Sequence, residues 1–199
     1  MIDSAAPTDD PPEGWFPTAR TGHGAWSRKP AHRRLAYPGP VQRPLAVFDI
    51  DGVLADVSHR VHLLEGRPQD WDAFFAAAAD DPPHPEGLEL AGAAAAECEL
   101  AYVTGRPERC RAATDDWLRR HGLPPGSLRM RADGDHRPAR LAKPQLLAEL
   151  ATGRVVAVVV DDDEQVCDAY EQAGWTVLRA GWGGRPVTLR RAQEEQGRT

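Results

Sequence analysis

The sequence predicts an α/β fold in which a parallel sheet is covered by helices on both faces. Three observations carry that prediction. Short β-branched and apolar runs alternate with helical segments, the pattern of strand–helix–strand units. One run, "RVVAVVVDDD" (154–163), is continuous and apolar up to its acids, as expected of a strand buried on both faces. Three runs end in an acid or a hydroxyl: Asp49 and Asp51, then Thr104, then Asp161, Asp162 and Asp163. Ligands of parallel sheets bind beyond the carboxyl ends of the strands, so these groups converge on one site.

Residues 1–44 are rich in Pro, Gly, Arg and Asp, show no sustained apolar period, and read as an irregular extension. Trp15, Phe16, Trp26 and Tyr37 within it are aromatic anchors or, as the second reading, platforms for nucleobases. The domain begins with a strand at 45–50. In "QDWDAFFAAAAD", Asp70 is placed to cap a short helix carrying Trp71, Phe74 and Phe75. A Pro-rich break at 82–85 precedes an Ala-rich helix over 86–97. "ELAYVTGRP" (99–107) is a second buried strand, and Pro107 opens a helix that stops at Gly122. "SLRMR" (127–131) is a weaker strand, followed by a helix at 144–151 with Pro144 in its first turn. After the strand at 154–163, a helix over 164–173 ends at Gly174 and "WTVLRA" supplies the last strand. The domain closes near residue 182, and 183–199 read as a tail. "GWGGRP" (181–186) reads as a turn, with a phosphate cradle as its alternative.

A chain of 199 residues, 41% hydrophobic and 27% charged, has the size and composition of one soluble domain. The net charge of −6 conceals uneven segments. Residues 20–43 carry six bases and no acid, and from Arg106 to Lys143 bases outnumber acids ten to five. Local basic surface is therefore expected, and the 20–43 arm reads equally as a nucleic-acid contact or a solubilising tail. Cys98, Cys110 and Cys167 show no metal spacing and fit a reducing compartment. With no bilayer-length apolar stretch and no signal-peptide core, the expectation is a cytoplasmic protein that does not enter the membrane.

Several carboxylates at one mouth repel unless a cation lies among them. Hard oxygen donors without Cys or His beside them favour Mg²⁺. An Asp next to such a cation can attack phosphorus, since the metal shields the phosphate's charge from an anionic nucleophile. The Asp two residues on would lie within reach of the leaving oxygen. Thr104 and Lys143 can hold the transferring phosphoryl oxygens.

"FDIDGVLAD", "VTGRP", Lys143 and "VVVDDD" resemble, in order, the four motifs of the haloacid dehalogenase (HAD) superfamily over about 45–180. The resemblance implies a three-layered α/β/α sandwich and an aspartyl-phosphate mechanism. A narrower likeness lies in "LRMRADGDHRPARLAK" (128–143) and "TGRPERCRAATDDWL", which are similar to the 3′-phosphatase domain of phage-type polynucleotide kinase-phosphatases. No G-x-x-x-x-G-K-[ST] is present, so a stand-alone phosphatase is expected. Carried over residue by residue, the resemblance makes Asp49 the nucleophile and Asp51 the general acid and later base. Mg²⁺ would be held by the Asp49 carboxylate, the Asp51 carbonyl and Asp161, with Asp162 ligating directly or through water. Thr104 and Lys143 would grip the phosphoryl group, while Arg106 and Arg131 would face the substrate.

Val53 stands where many members have Thr. Residues 56–86 are too short for a large cap, so a minimal cap and an open site are expected. The implied activity is a Mg²⁺-dependent phosphomonoesterase acting on a DNA or RNA 3′ end or a nucleotide 3′-phosphate. Its rivals are a small-molecule phosphatase and a non-catalytic binding module of the same fold.

Overall fold

In the computed structural model, which describes residues 42–184 and 187–196, the four apolar residues of β1 (Leu45–Phe48) are all fully buried. β1 is the middle strand of a five-stranded sheet. β2 (Glu99–Pro107) and β3 (Gly126–Arg131) lie on one side of it, β4 (Val156–Asp161) and β5 (Val177–Arg179) on the other. The order is β3-β2-β1-β4-β5 and every pairing is parallel.

The two-residue period of a strand divides the core. Ala46 and Phe48 face a cluster with Leu100, Tyr102, Ala91 of α2 (Pro85–Ala94) and Trp117 of α3 (Arg111–Arg120). Leu45 and Val47 face Leu147 of α4 (Ala139–Leu150) and Val166 and Tyr170 of α5 (Glu164–Gln172). The result is a three-layered α/β/α sandwich. The chain builds β1, β2 and β3 outward in one direction and then crosses back to β4. The strand order therefore reverses at β1, and the carboxyl ends of β1 and β4 flank the switch-point crevice.

A small insertion follows β1: a 3-10 helix (Ser58–Leu64), the helix α1 (Trp71–Ala76) and a second 3-10 turn (Ala77–Asp80). The Asp70 carboxylate accepts the Ala73 N–H at 2.9 Å, capping α1 as expected. Val57, Val61, Leu64, Trp71, Phe74 and Phe75 bury their side chains together as a third apolar cluster. Leu189 and Ala192 join it from α6 (Val187–Gln196), so a segment expected as tail contains a packed helix.

Two other expectations need correction. The helix expected at 144–151 begins at Ala139, and Pro144 lies inside it. Proline there costs one bond, to the carbonyl of Arg140, while burial of Ala139, Ala142 and Leu147 supports the earlier turns. The strand at 154–163 is buried only toward its end: Val159, Val160 and Asp161 are buried, whereas Val155 is 72% exposed. β5 pairs with Val159–Asp161, and among the described residues the first half of β4 has no strand neighbour on that side. The four aromatic residues of the extension, and all of the 20–43 arm except Gln42 and Arg43, lie outside the described residues.

Candidate active site

The N–H of Asp49, one residue beyond β1, donates to the Val160 carbonyl at 2.9 Å and so ties the first acid to the end of β4. The chain then turns tightly, with the Leu54 and Ala55 N–H groups both donating to the Ile50 carbonyl at 2.9 Å. Gly52 takes φ +89°, and a Cβ on it would stand 2.3 Å from Oδ2 of Asp162. Only glycine allows this turn to pass against the acids of β4.

Two ionic clusters meet at this mouth. In the first, the Lys143 ammonium lies 2.7 Å from Oδ2 of Asp49 and 2.8 Å from Oδ2 of Asp161. Carboxylate oxygens of Asp49, Asp161 and Asp162 come within 4.8 Å of one another. Burial pushes the Asp49 carboxyl well above its ordinary range, against the pull of Lys143 and with help from Asp161 and Asp162. Asp163 stands apart, accepting the Gln165 N–H at 2.9 Å as the N-cap of α5.

In the second cluster, Asp51 turns away from Asp49's partners toward two guanidiniums. Oδ1 of Asp51 accepts from Nε of Arg106 at 2.9 Å and from NH2 of Arg60 at 2.8 Å. Asp81 closes the square: Arg60 reaches its two oxygens at 2.7 and 2.8 Å, and Arg106 donates to it at 2.7 Å. Arg60 also stacks over Phe74, 4.0 Å from the ring centroid, and the Trp117 indole donates to the Asp81 carbonyl at 2.8 Å. Burial would raise the Asp51 carboxyl, but Arg106 and Arg60 together hold it well below the usual carboxylate range. Asp81 is raised by burial despite the same two guanidiniums.

Against the sequence reading, this placement is mixed. Asp49, Asp161, Asp162 and Lys143 come together. Lys143 is not at a helix start but on the second turn of α4. Thr104 is fully buried, and its hydroxyl accepts the Arg106 N–H at 3.2 Å. Arg106 does not present its guanidinium to an open cleft: it is 1% exposed and paired with two carboxylates. Arg131, at the end of β3, is also buried and donates to the carbonyl of Arg137 at 2.6 Å. It lines a pocket of about 260 Å³ beside the site.

The expected open site is not what the chain forms. Asp49, Asp51, Thr104 and Lys143 are between 0 and 8% exposed, because the insertion lays Arg60 and Asp81 over Asp51. Of the ten bases over 106–143, Arg120 and Arg129 are exposed, while six others are neutralised. Arg109, Arg111, Arg119 and Arg137 each hold a neighbouring carboxylate, and Arg106 and Lys143 are spent inside the site.

The sequence reading missed Arg60 and Asp81. Val57, Val61 and Leu64, at i, i+4 and i+7, are the signal that places a helical turn around Arg60. Asp81, in "DDPP", has no comparable local mark.

A divalent cation fits the first cluster. Oδ1 of Asp49 is buried without a hydrogen-bond partner among the described residues, beside two further carboxylates and no soft ligand. Such a donor set suits Mg²⁺. Among the described residues no helix is long and apolar enough to cross a membrane.

The family model of the polynucleotide kinase PNKP phosphatase domain matches residues 44–183. Among solved structures, a chain of the Pnkp1/Rnl/Hen1 complex matches at 21% identity and TM-score 0.60, over 80% of this chain and 53% of that one. A chain of the Pnkp1/Rnl/Hen1 RNA repair complex matches at 20% identity and TM-score 0.59, over 77% and 48%. The present chain thus spans about half the length of those two. A haloacid dehalogenase-like hydrolase from Streptococcus pneumoniae matches at 15% identity and TM-score 0.53, over 76% and 91%. At these identities the likenesses show the fold. No curated protein matches the sequence.

Proposed function

This chain belongs to the PNKP phosphatase-domain family of HAD-like hydrolases, and on that premise we propose that it is a Mg²⁺-dependent phosphomonoesterase acting on nucleic-acid or nucleotide 3′-phosphates. The observation that carries the chemistry is the first cluster: Lys143 bridges Asp49 and Asp161 at 2.7 and 2.8 Å, leaving Oδ1 of Asp49 unengaged. The family match supports the substrate class.

Asp49, Asp161, Asp162 and the Asp51 carbonyl would hold Mg²⁺, which neutralises phosphate charge and lets an anionic nucleophile approach. The Asp49 carboxylate attacks phosphorus through one of its oxygens, a P–O bond to Asp49 forms, and the bond from phosphorus to the leaving oxygen breaks. Lys143 and the Thr104 hydroxyl hold the phosphoryl oxygens. The ammonium favours the ionised form of Asp49, in part opposing a burial that raises its proton affinity.

Asp51 then has a proton to give and later one to take. Paired with two guanidiniums, its carboxyl is ionised at neutral pH. An incoming phosphate dianion competes for Arg106, and loosening that pair raises the proton affinity of Asp51, which takes a proton from solvent water and passes it to the leaving oxygen as the bond to phosphorus breaks. In the second half, Asp51 takes a proton from the water that attacks phosphorus, freeing Asp49 and inorganic phosphate. Arg106 thus serves Asp51 first and the substrate afterwards. The three free thiols accord with a reducing, cytoplasmic setting.

The test is phosphate release from a 3′-phosphorylated oligonucleotide with Mg²⁺ and with chelator. Release that depends on the cation supports the reading. Turnover of small phosphomonoesters alone would limit it to a phosphatase of another substrate class.

A further inference from the structure

Between the ends of β2 and β3 lies the pocket of about 260 Å³, whose wall includes Gly105 and Pro107 on either side of Arg106. Neighbouring strands are about 4.8 Å apart, so the pocket is displaced sideways from β1 by roughly 7 Å. That is about the reach of one nucleotide whose phosphate is at Asp49.

The lining favours a flat neutral group over a second phosphate. Asp72, Asp133 and Asp135 face the pocket beside Arg109, Arg131 and His136, so the lining offers no surplus of cations to a second phosphate. Arg109 and Arg137 already balance those acids: Arg109 NH2 is 3.0 Å from Asp72, and Arg137 is 2.7 Å from Asp135. What the carboxylates can still accept is an N–H or O–H donor, as a base edge or a ribose hydroxyl supplies.

Flat groups are stacked at the same place. Trp71 and Phe75 stack with centroids 5.7 Å apart and planes 28° apart, and the Arg109 guanidinium carbon lies 5.5 Å from the Phe75 centroid. Arg109, its side chain 43% exposed, ends this column at the pocket. A delocalised guanidinium on an aromatic base is a platform on which a nucleobase stacks.

We propose that this pocket seats the terminal nucleoside of the substrate, with its base continuing the Trp71–Phe75–Arg109 column and its donors directed at Asp72 and Asp133. The inference rests on the 3′-phosphatase reading and deepens it: the enzyme recognises the residue that carries the phosphate. Arg131, at the pocket's edge, donates to the carbonyls of Arg137 at 2.6 Å and Asp135 at 3.4 Å, which hold it beside the pocket.

The test uses the full chain and two oligonucleotides ending in a 3′-phosphate, one with a terminal 2-aminopurine and one with a terminal abasic sugar. Base stacking implies a wild-type kcat/KM preference of roughly 5- to 150-fold for the base-bearing end. Arg109→Ala and Arg109→Lys should both bring that ratio close to one, because lysine restores the charge without the flat face. In parallel, the fluorescence of 2-aminopurine at the end of a dephosphorylated strand should change on binding the wild type and not the variants. A wild-type ratio near one, or a full ratio kept by Arg109→Lys, overturns the proposal. If no strand releases phosphate, the phosphatase reading fails on its own. Fluorescence then decides the pocket: a change lost in Arg109→Ala upholds it, and no change overturns it.

Discussion

Replacing Arg60 by methionine removes one of the two cations that hold Asp51 and Asp81 ionised beneath the insertion. The arginine is fully buried, pairs with Asp51 at 2.8 Å and with both oxygens of Asp81 at 2.7 and 2.8 Å, and stacks on Phe74. Methionine keeps the apolar stem but leaves two buried carboxylates with Arg106, and Asp81 also with His59, whose Nε2 lies 2.8 Å from its Oδ1. Breaking a buried pair on one side costs about 3–5 kcal/mol, because the partner charge remains without compensation. For a chain of this size each kcal/mol moves the melting temperature about 2–4 °C, so a fall of roughly 6–20 °C is expected near neutral pH.

The pH dependence has a definite sign. In the wild type, the depressed Asp51 contributes stability above its unfolded value of about 3.9 and loses it only as pH falls through the folded value. Asp81, raised by burial, costs stability once pH exceeds its folded value. Without Arg60 both carboxyls shift upward, so the deficit of Arg60→Met should be largest near neutral pH and shrink as pH falls and the variant's acids take up protons. Thermal and urea melts of both proteins from neutral to acid pH measure it. A deficit below about 0.5 kcal/mol, the level of an ordinary surface change, or one independent of pH would refute the account of the second cluster.

Three further outcomes follow from the same geometry. Asp51→Asn should lower turnover of a 3′-phosphorylated strand by about 10²–10⁴-fold, and an aryl phosphate, whose leaving group barely needs a proton, much less; steady-state kinetics on both substrates checks it. Lys143→Met should abolish turnover yet enlarge the rise in melting temperature on adding Mg²⁺, because the ammonium between Asp49 and Asp161 opposes a cation there. Gly52→Ala should cost about 1–2 kcal/mol for its left-handed backbone. It should also weaken Mg²⁺ binding out of proportion, since the added Cβ would stand 2.3 Å from Asp162, as a titration followed by melting would show.

Most of the architecture was legible because its signals are local. "ELAYVTGRP" reads as a strand from its own residues and forms β2 with the same bounds, Glu99–Pro107. The acids after β1 and β4 are legible for the same reason, since an apolar run that ends in carboxylates marks a strand's carboxyl end. The start of α4 was not. Pro144 reads as a helix start, whereas burial of Ala139 and Ala142 against the sheet outweighs the bond that proline forgoes. The second cluster is the part least accessible to sequence. Arg60, Asp81 and Arg106 reach Asp51 or each other across 9, 21, 25 and 55 residues, and no local pattern links them. Arg106, expected to face the substrate, is therefore found turned inward and paired with Asp51 and Asp81.

The central claim is that Asp49 carries the phosphoryl group during turnover. The most direct measurement is an acid quench of the enzyme turning over a 3′-phosphorylated oligonucleotide with Mg²⁺, followed by borohydride reduction and peptide mapping. The account predicts that the Asp49 side chain is reduced to the alcohol in a substrate-dependent way, and that Asp51 is untouched. Phosphate release with no modification at Asp49, or with modification at another residue, would contradict it.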